Sequence, residues 1–275
     1  MSSRVNPTAI PPFVDVAWAQ AHRGDLVLAD VRFYLDGRSG RAAYEAGHIP
    51  GAVFVDLDTV LSARPGLAGR HPLPDPTEFA AGLSALGIGD GDAVIGYDDA
   101  GGLIAARLVW MLRATGHAAA VLDGGLAAWP GPLETDVPAR PPASFTPRPW
   151  PRDLLATIDE VAATSEVLVD GRDHARYAGG PDPVDPRSGH IPGARSLPAR
   201  DNLGSDGRLL APDELRRRYA EAGIGPGTPV ISYCGSGVTA CHNLLALERA
   251  GLGPGRLYPG SWSEWSRDPQ RPLAT

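Results

Sequence analysis

The chain has 275 residues, 43% of them hydrophobic, so it is long enough to bury one large core or two of ordinary size. Its formal net charge of −7 argues against the basic surface expected of a nucleic-acid-binding protein. All 25 basic residues are arginine, which excludes lysine-based catalysis and makes any basic anion clamp a guanidinium. No segment reaches the roughly 20 apolar residues of a membrane span, and two free cysteines would fit a reducing compartment. We therefore expect a cytoplasmic protein that binds neither nucleic acid nor a membrane.

Strand-like apolar runs alternate with helical runs along the chain. The first half predicts strands at 26–31, 93–97 and 118–122, and helices at 41–46, at 103–115 and from Pro76 to a stop at Gly87. The second half predicts strands at 167–170 and 229–233, and helices beginning at Pro212 and Thr239. This alternation is typical of a parallel sheet with helices on both faces.

The second half of the chain repeats the first. Residues 167–172 match 27–32, and Gly-His-Ile-Pro-Gly-Ala recurs unchanged at 47–52 and 189–194. Two further matches follow in the same order, at the Pro76 and Pro212 helix starts and at the Gly-x-x-x-x-Trp segments that begin at Gly124 and Gly260. Four matches in one order indicate a duplicated α/β domain. We predict a first domain at 1–137, a proline-rich linker at 138–152 and a second domain at 153–275.

The two copies differ at one strand end. Aligning 95–97 with 231–233 places Asp98 opposite Cys234, so only the second copy carries a sulfur nucleophile. The offset between the copies is 142 residues at the Gly-His-Ile-Pro-Gly elements but 136 at Asp98 and Cys234. The first copy therefore holds six additional residues between these points, and they fall near 69–74.

Cys234 lies in a turn that joins a predicted strand to a predicted helix. Parallel sheets bind ligands beyond the carboxyl ends of their strands, and the unpaired N–H groups at a helix start stabilise an anion. Gly235 and Gly237 allow a positive φ, and together with Val238 and Thr239 they would place main-chain amides around the sulfur. The position favours a nucleophilic thiolate over a buried structural cysteine.

The interpretation of these motifs also depends on four other positions. Cys241 lies about two helical turns from Cys234, beyond bridging distance, and is assigned to the core. A tyrosine-phosphatase-type loop is the strongest rival for the turn, but it needs an arginine where this chain has Ala240. His48 and His190 recur in both copies and are assigned to turn structure.

These features together resemble the tandem rhodanese sulfurtransferases over nearly the whole chain. The resemblance rests on the Asp-x-Arg strand ends, both Gly-His-Ile-Pro-Gly elements, the cysteine loop in the second copy and the closing Gly-Ser-Trp-Ser-Glu-Trp. It implies two rhodanese-like α/β domains, each a parallel sheet with helices on both faces, of which the second is catalytic.

The loop Cys-Gly-Ser-Gly-Val-Thr resembles the 3-mercaptopyruvate branch of that family, whereas the thiosulfate branch has arginine and lysine after the cysteine. The resemblance implies sulfur transfer from 3-mercaptopyruvate through a Cys234 persulfide to cyanide or to a thiol, such as that of a thioredoxin-like protein. The sequence has no clustered Cys/His ligand set and no dinucleotide-binding fingerprint, so we expect no metal and no organic cofactor. Two alternatives remain. The donor could be thiosulfate, or the protein could be a non-catalytic sulfur carrier or partner-binding module.

The resemblance also assigns roles around the cysteine. Ser236, Asp58 and His71 align with a serine-protease-like triad proposed for the mercaptopyruvate branch, although a histidine in a proline-rich loop can also be merely solvated. Arg176 fits the first carboxylate-binding arginine of the family. The second is displaced, because Val184 follows Pro-Asp-Pro and Arg187 comes only after a shifted spacer. Either Arg187 binds the donor carboxylate as the second arginine, or this enzyme departs from the preference for 3-mercaptopyruvate.

Overall fold

The computed structural model describes residues 10–138 and 140–275. Residues 1–9 of the first predicted domain and Ala139 of the predicted linker lie outside this range. The described chain forms two compact units. The first comprises 10–63, 74–150 without residue 139, and 205–208; the second comprises 64–73, 151–204 and 209–275. The segment Arg64–Leu73 is thus part of the second unit, although it lies within the first sequence copy.

The first unit is a five-stranded parallel sheet in the order β1-β5-β4-β2-β3. Its elements in chain order are β1 (Phe13–Val14), α1 (Val16–Ala21), β2 (Leu26–Asp30), α2 (Gly40–Ala46), β3 (Val53–Phe54), α3 (Pro76–Ala85), β4 (Ala93–Tyr97), α4 (Ala105–Ala114) and β5 (Ala119–Leu122). In the central pair, Leu28 lies opposite Ile95 and Asp30 lies opposite Tyr97. All five residues of β4 and all four of β5 are buried, as expected for strands covered on both faces.

The second unit is a four-stranded parallel sheet in the order β7-β6-β8-β9. Its elements are α5 (Ile158–Ala163), β6 (Val167–Asp170), α6 (His174–Tyr177), β7 (Arg195–Ser196), α7 (Pro212–Glu221), β8 (Val230–Tyr233), α8 (Thr239–Arg249), β9 (Arg256–Leu257) and α9 (Ser261–Trp265). Each unit is therefore a parallel sheet flanked by helices, which confirms the predicted fold class. Within the described residues, no helix is both long and apolar enough to cross a membrane.

Local sequence signals set several of these boundaries. Asp75 accepts a hydrogen bond from the Thr77 amide at the start of α3, with Pro76 in the first helical position. Thr157 and Glu160 form a capping box at the start of α5. These caps satisfy N–H groups that have no partner inside the helix.

The Asp-x-Arg and Gly-His-Ile-Pro-Gly elements hold each other in place. In the second unit, Arg172 binds the buried carboxylate of Asp170 and donates through Nη2 to the carbonyl of Gly189 at 2.7 Å. The equivalent bond in the first unit runs from Arg32 to the carbonyl of Gly47, also at 2.7 Å. The His190 ring stacks on Tyr177 at 3.7 Å between centroids, and His48 stacks in the same way on the tyrosine of α2. These repeated motifs therefore stabilise the turn after each strand.

Candidate active site

Cys234 directly follows β8, and its loop is anchored by the start of α9. The Cys234 N–H donates to Ser261 Oγ at 3.1 Å, and its carbonyl accepts the Trp262 N–H at 3.0 Å. Ser261 has φ 53° and is the one non-glycine residue of the described chain with a positive φ. Its counterpart in the first unit is Gly125, at φ 56°. Glycine would be less strained at this position. The presence of serine therefore indicates that the hydrogen bond from the Cys234 N–H to its hydroxyl helps to hold the cysteine loop.

The equivalent loop of the first unit holds a carboxyl group. Burial raises the pKa of Asp98 above its ordinary value, and hydrogen bonds from four main-chain N–H groups oppose this shift. Asp98 is fully buried, and its Oδ1 accepts the N–H groups of Ala100 and Gly102 at 2.8 and 2.7 Å. Its Oδ2 accepts those of Ile104 and Ala105 at 2.7 and 2.9 Å. A carboxylate thus occupies a cradle of four main-chain amides between strand and helix, which is the geometry that stabilises negative charge at such a turn.

In the second unit the equivalent loop carries Cys234, and one of the four equivalent N–H groups, that of Cys241, donates to the Val238 carbonyl at 3.1 Å. Cys234 takes the place of Asp98 and is 2% exposed. The residues equivalent to Ala100 and Gly102 are Ser236 and Val238, and in the described part of the chain their N–H groups donate to no protein acceptor. Gly237 has φ 77°, and a Cβ there would lie 2.5 Å from the carbonyl oxygen of Pro259, so this part of the turn requires glycine. The loop can therefore accept an anion carried by Cys234.

Two of the three predicted triad residues come together. Ser236 Oγ lies 2.8 Å from His71 Nδ1, and both side chains are buried. His71 reaches Ser236 because Arg64–Leu73 belongs to the second unit. Asp58 belongs to the first unit, and its part in a triad stays a prediction. Burial, followed by the charge of Asp56, raises the pKa of the Asp58 carboxyl above its ordinary value.

The two predicted donor-binding arginines have different surroundings. Arg176 lies beside the cysteine loop, where a Cβ on Gly235 would be 3.5 Å from its Nη1. Arg187 instead donates to the main-chain carbonyls of Trp265, Ser266, Asp268 and Arg271. All three of its guanidinium nitrogens are used in these bonds, so Arg187 stabilises the conformation of residues 265–271. The geometry gives no support to the donor-binding role predicted for it.

Arg176 is held by two carboxylates. It makes a two-nitrogen contact with Asp182 and a 2.9 Å bond from Nη2 to Asp185. Burial opposes ionisation of Asp182, but the hydrogen bonds from Arg176 and from the main chain outweigh it and lower the pKa of this carboxyl. Asp182 is the middle residue of the Pro-Asp-Pro segment and Asp185 follows it, so the region that displaces the second arginine supplies carboxylates instead.

The second cysteine lies in the core. Cys241 is fully buried in α8, its Sγ donates to the Gly237 carbonyl at 3.3 Å, and neither cysteine forms a disulfide. In the next position of α8, burial lowers the pKa of His242 to about 3, so this histidine is neutral. Over residues 10–138 and 140–275, no group of three or more His, Cys, Asp or Glu side chains is placed to hold a metal ion.

Sequence reasoning did not identify three residues that contact this site. Ser261 was detectable as a serine aligned with Gly125 in the repeated segment. Arg70 directly precedes His71 in the additional residues of the first copy, and its Nη2 would lie 3.2 Å from a Cβ on Gly235. Asp185 bonds to both Arg70 and Arg176. A bond between positions 115 residues apart gives no local signal in a single sequence.

Comparison with known proteins identifies the family of the chain. The family model for the rhodanese-like domain matches twice, at residues 14–131 and 151–268. A probable 3-mercaptopyruvate sulfurtransferase of Pseudomonas aeruginosa is 45% identical over 94% of this chain and 95% of that protein. A putative thiosulfate sulfurtransferase of Mycobacterium tuberculosis is 40% identical over 91% of each chain. The crystal structure of an Escherichia coli 3-mercaptopyruvate sulfotransferase, 33% identical, superimposes with a TM-score of 0.81 over 92% of this chain and 100% of that one. The chain therefore belongs to the rhodanese family of sulfurtransferases and carries two rhodanese-like domains in tandem.

Proposed function

We propose that this sulfurtransferase takes a sulfur atom from 3-mercaptopyruvate onto Cys234 and passes it to a thiol or to cyanide. The observation that carries the proposal is the pair of equivalent loops, one of which binds the Asp98 carboxylate through four amides while the other presents Cys234. A persulfide is an anion attached to that cysteine, and the loop N–H groups that remain without a protein acceptor would stabilise it. The relatives named as 3-mercaptopyruvate sulfurtransferases support this choice of donor.

The proposed reaction has two covalent steps. The Cys234 thiolate attacks the donor sulfur, an S–S bond forms, and the C–S bond breaks with its electron pair moving to carbon. The thiol proton of the donor is transferred to that carbon, which gives pyruvate and leaves a Cys234 persulfide anion. A thiol or cyanide acceptor then attacks the outer sulfur, the S–S bond breaks, and the Cys234 thiolate is restored.

Ser236 and His71 would carry the proton in the first step. Ser236 lies two residues after Cys234 in the same loop, and its Oγ is 2.8 Å from His71 Nδ1. A hydroxyl paired with an imidazole can accept the thiol proton and return it to the carbon. We include Asp58 in this relay as the predicted third member, and we assign the amides of Gly235, Gly237, Val238 and Thr239 to the persulfide cradle.

Mass spectrometry of the full chain tests the proposal. After treatment with 3-mercaptopyruvate the protein should gain one sulfur atom, the Cys234→Ser variant should gain none, and the Cys241→Ser variant should behave like the unchanged protein. Release of pyruvate should match the sulfur bound. No mass gain with 3-mercaptopyruvate or with thiosulfate would refute sulfur transfer and favour a partner-binding module.

Thiosulfate is the second candidate donor. Its anionic oxygens could also bind to the guanidinium groups beside Gly235, and the Mycobacterium tuberculosis relative is named for this activity. Steady-state rates with both donors decide between them. We also propose a cytoplasmic setting, supported by the two free thiols, which a reducing compartment preserves.

A further inference from the structure

A buried serine of helix α9 is bonded to the segment that carries His71. The Arg70 N–H donates to Ser263 Oγ at 3.0 Å, and this hydroxyl donates in turn to the Gly260 carbonyl at 2.9 Å. Ser263 is fully buried. Because Arg70 directly precedes His71, the Ser263 hydroxyl fixes the main chain next to the imidazole.

The main chain of the same serine holds the cysteine loop. The Ser263 N–H donates to the Gly235 carbonyl at 2.8 Å, and Gly235 lies between Cys234 and Ser236. Ser263 therefore bonds to the residue before Ser236 and to the residue before His71, whose side chains meet at 2.8 Å. Both partners of this contact are fixed through one residue of α9.

Close packing at Gly69 leaves the segment little freedom to move relative to α9. Gly69 has φ 105°, and a Cβ there would lie 2.8 Å from the Gly260 carbonyl oxygen and 2.9 Å from Ser263 Oγ. Glycine is therefore required for this approach. A shift of the segment away from Ser263 would also displace His71, which is two residues further along the chain.

The first copy has no hydroxyl at the equivalent position. Ala127 is the counterpart of Ser263 in the repeated Gly-x-x-x-x-Trp segment. The main-chain contact with the strand-end loop is nevertheless present there, since the Leu126 N–H donates to the Asp98 carbonyl at 2.8 Å. The repeated segment thus forms without a serine, and in the second unit the hydroxyl bonds to the segment that carries His71.

We propose that Ser263 is a positioning residue for the proton relay, and that its hydroxyl and its main-chain N–H together keep His71 at hydrogen-bonding distance from Ser236. This rests on the proposed function, in which that pair transfers the thiol proton of 3-mercaptopyruvate to carbon. A misplacement of about 1 Å between reacting groups can cost about 10²-fold in rate. Loss of the Ser263 hydroxyl should therefore slow the step that needs the relay and spare the step that does not.

Single-turnover rates of the two half-reactions test the proposal. Ser263→Ala should slow pyruvate release from 3-mercaptopyruvate about 10- to 100-fold. Discharge of the preformed Cys234 persulfide to cyanide, which transfers no thiol proton, should change less than about twofold. Ser266→Ala is the matched control because Ser266 directly follows α9, is 2% exposed, and has a hydroxyl without a hydrogen-bond partner among the described residues. The control should change neither rate.

A double-mutant cycle separates positioning from a general loss of structure. If Ser263 acts through His71, Ser263→Ala should slow pyruvate release less than about twofold further in the His71→Gln background. A purely structural effect on the cysteine loop would cost the same factor in both backgrounds and would also slow persulfide discharge. If Ser263→Ala does not fold, Ser263→Cys fills the same space with a weaker acceptor and should show the same selective loss.

The outcomes distinguish this proposal from the proposed function. If the unchanged protein neither releases pyruvate nor gains sulfur from 3-mercaptopyruvate, the proposed function fails and the role of Ser263 fails with it. If the unchanged protein does both, the proposed sulfur transfer stands. The role of Ser263 is then overturned if the folded Ser263→Ala variant releases pyruvate as fast as the parent does, if its loss is the same in the His71→Gln background, or if His71→Gln alone has no effect.

Discussion

Replacing Asp98 by asparagine should destabilise the first unit by about 3–6 kcal/mol. The fully buried carboxylate accepts four N–H groups at 2.7 to 2.9 Å, two on each oxygen. An asparagine side chain keeps one acceptor oxygen and places an NH₂ group against the other two N–H groups. Two charge-assisted hydrogen bonds are lost, at about 1.5–3 kcal/mol each. The two buried N–H groups that made them then lie against the NH₂ group of asparagine, which is itself a donor. The loss is a large part of the roughly 5–15 kcal/mol that holds a domain folded.

Urea unfolding of the full chain measures the effect, and hydrogen exchange assigns it to the first unit. The amides of α4, which begins next to the Asp98 loop, should lose protection in the variant, while those of α8 should not. Asp99→Asn is the matched control because it removes the same charge one residue along. Asp99 accepts a single bond from Tyr34 at an exposed position, so its loss should cost less than about 1 kcal/mol.

A loss below about 1 kcal/mol for Asp98→Asn would refute the reasoning. It would mean that the four amides do not depend on an ionised acceptor. The equivalent loop around Cys234 could then no longer be interpreted as an anion cradle, and the main support for a persulfide at that position would be removed.

Three further variants follow from the second unit. Ser236→Ala should lower kcat/KM about 10²-fold with 3-mercaptopyruvate but little with thiosulfate, which has no thiol proton to transfer; equal losses with both donors would contradict the relay. The pKa of His242, about 3 in the buried site against about 6.5 unfolded, means that the unfolded state binds a proton first as pH falls below 6.5. Urea unfolding should therefore show about 2 kcal/mol less stability at pH 5 than at pH 8 from this group, a difference absent in His242→Gln and retained in the exposed control His174→Gln. Arg187→Gln should cost about 2–4 kcal/mol of stability with little change in donor KM, whereas a tenfold rise in KM at unchanged stability would support its predicted donor-binding role.

Much of the fold could be predicted from sequence because its signals are local. The strand at Ala93–Tyr97 was predicted with its observed bounds, since a short apolar run ends there at a polar loop. Helix α8 begins at Thr239, as the glycine turn before it indicates. The family resemblance, now shown by the comparisons, rests on motifs such as Gly-His-Ile-Pro-Gly, whose contacts with the Asp-x-Arg strand end lie within about 20 residues.

The contacts that complete the site were not predictable in this way. Arg187 was a reasonable candidate because spacing alone cannot show that four carbonyls of the C-terminal segment already bind its guanidinium. The bridge from Arg70 through Asp185 to Arg176 joins two distant segments, and each residue taken alone reads as an ordinary surface charge. Pairing of this kind depends on tertiary structure and has no periodicity.

The duplication did not produce one active and one independent inactive domain. The first copy fills its anion cradle permanently with Asp98, and a carboxylate there can neither accept nor release sulfur. The same copy contains the segment Arg64–Leu73, which is structurally part of the second unit and brings both His71 and Arg70. A fragment cut at the proline-rich linker would therefore keep Cys234 and its loop amides but lose the imidazole beside Ser236 and one guanidinium beside Gly235. The unit that carries the proposed chemistry is thus discontinuous in sequence, and a selective requirement for Arg64–Leu73 would by itself preserve the first copy although its own loop has no nucleophile.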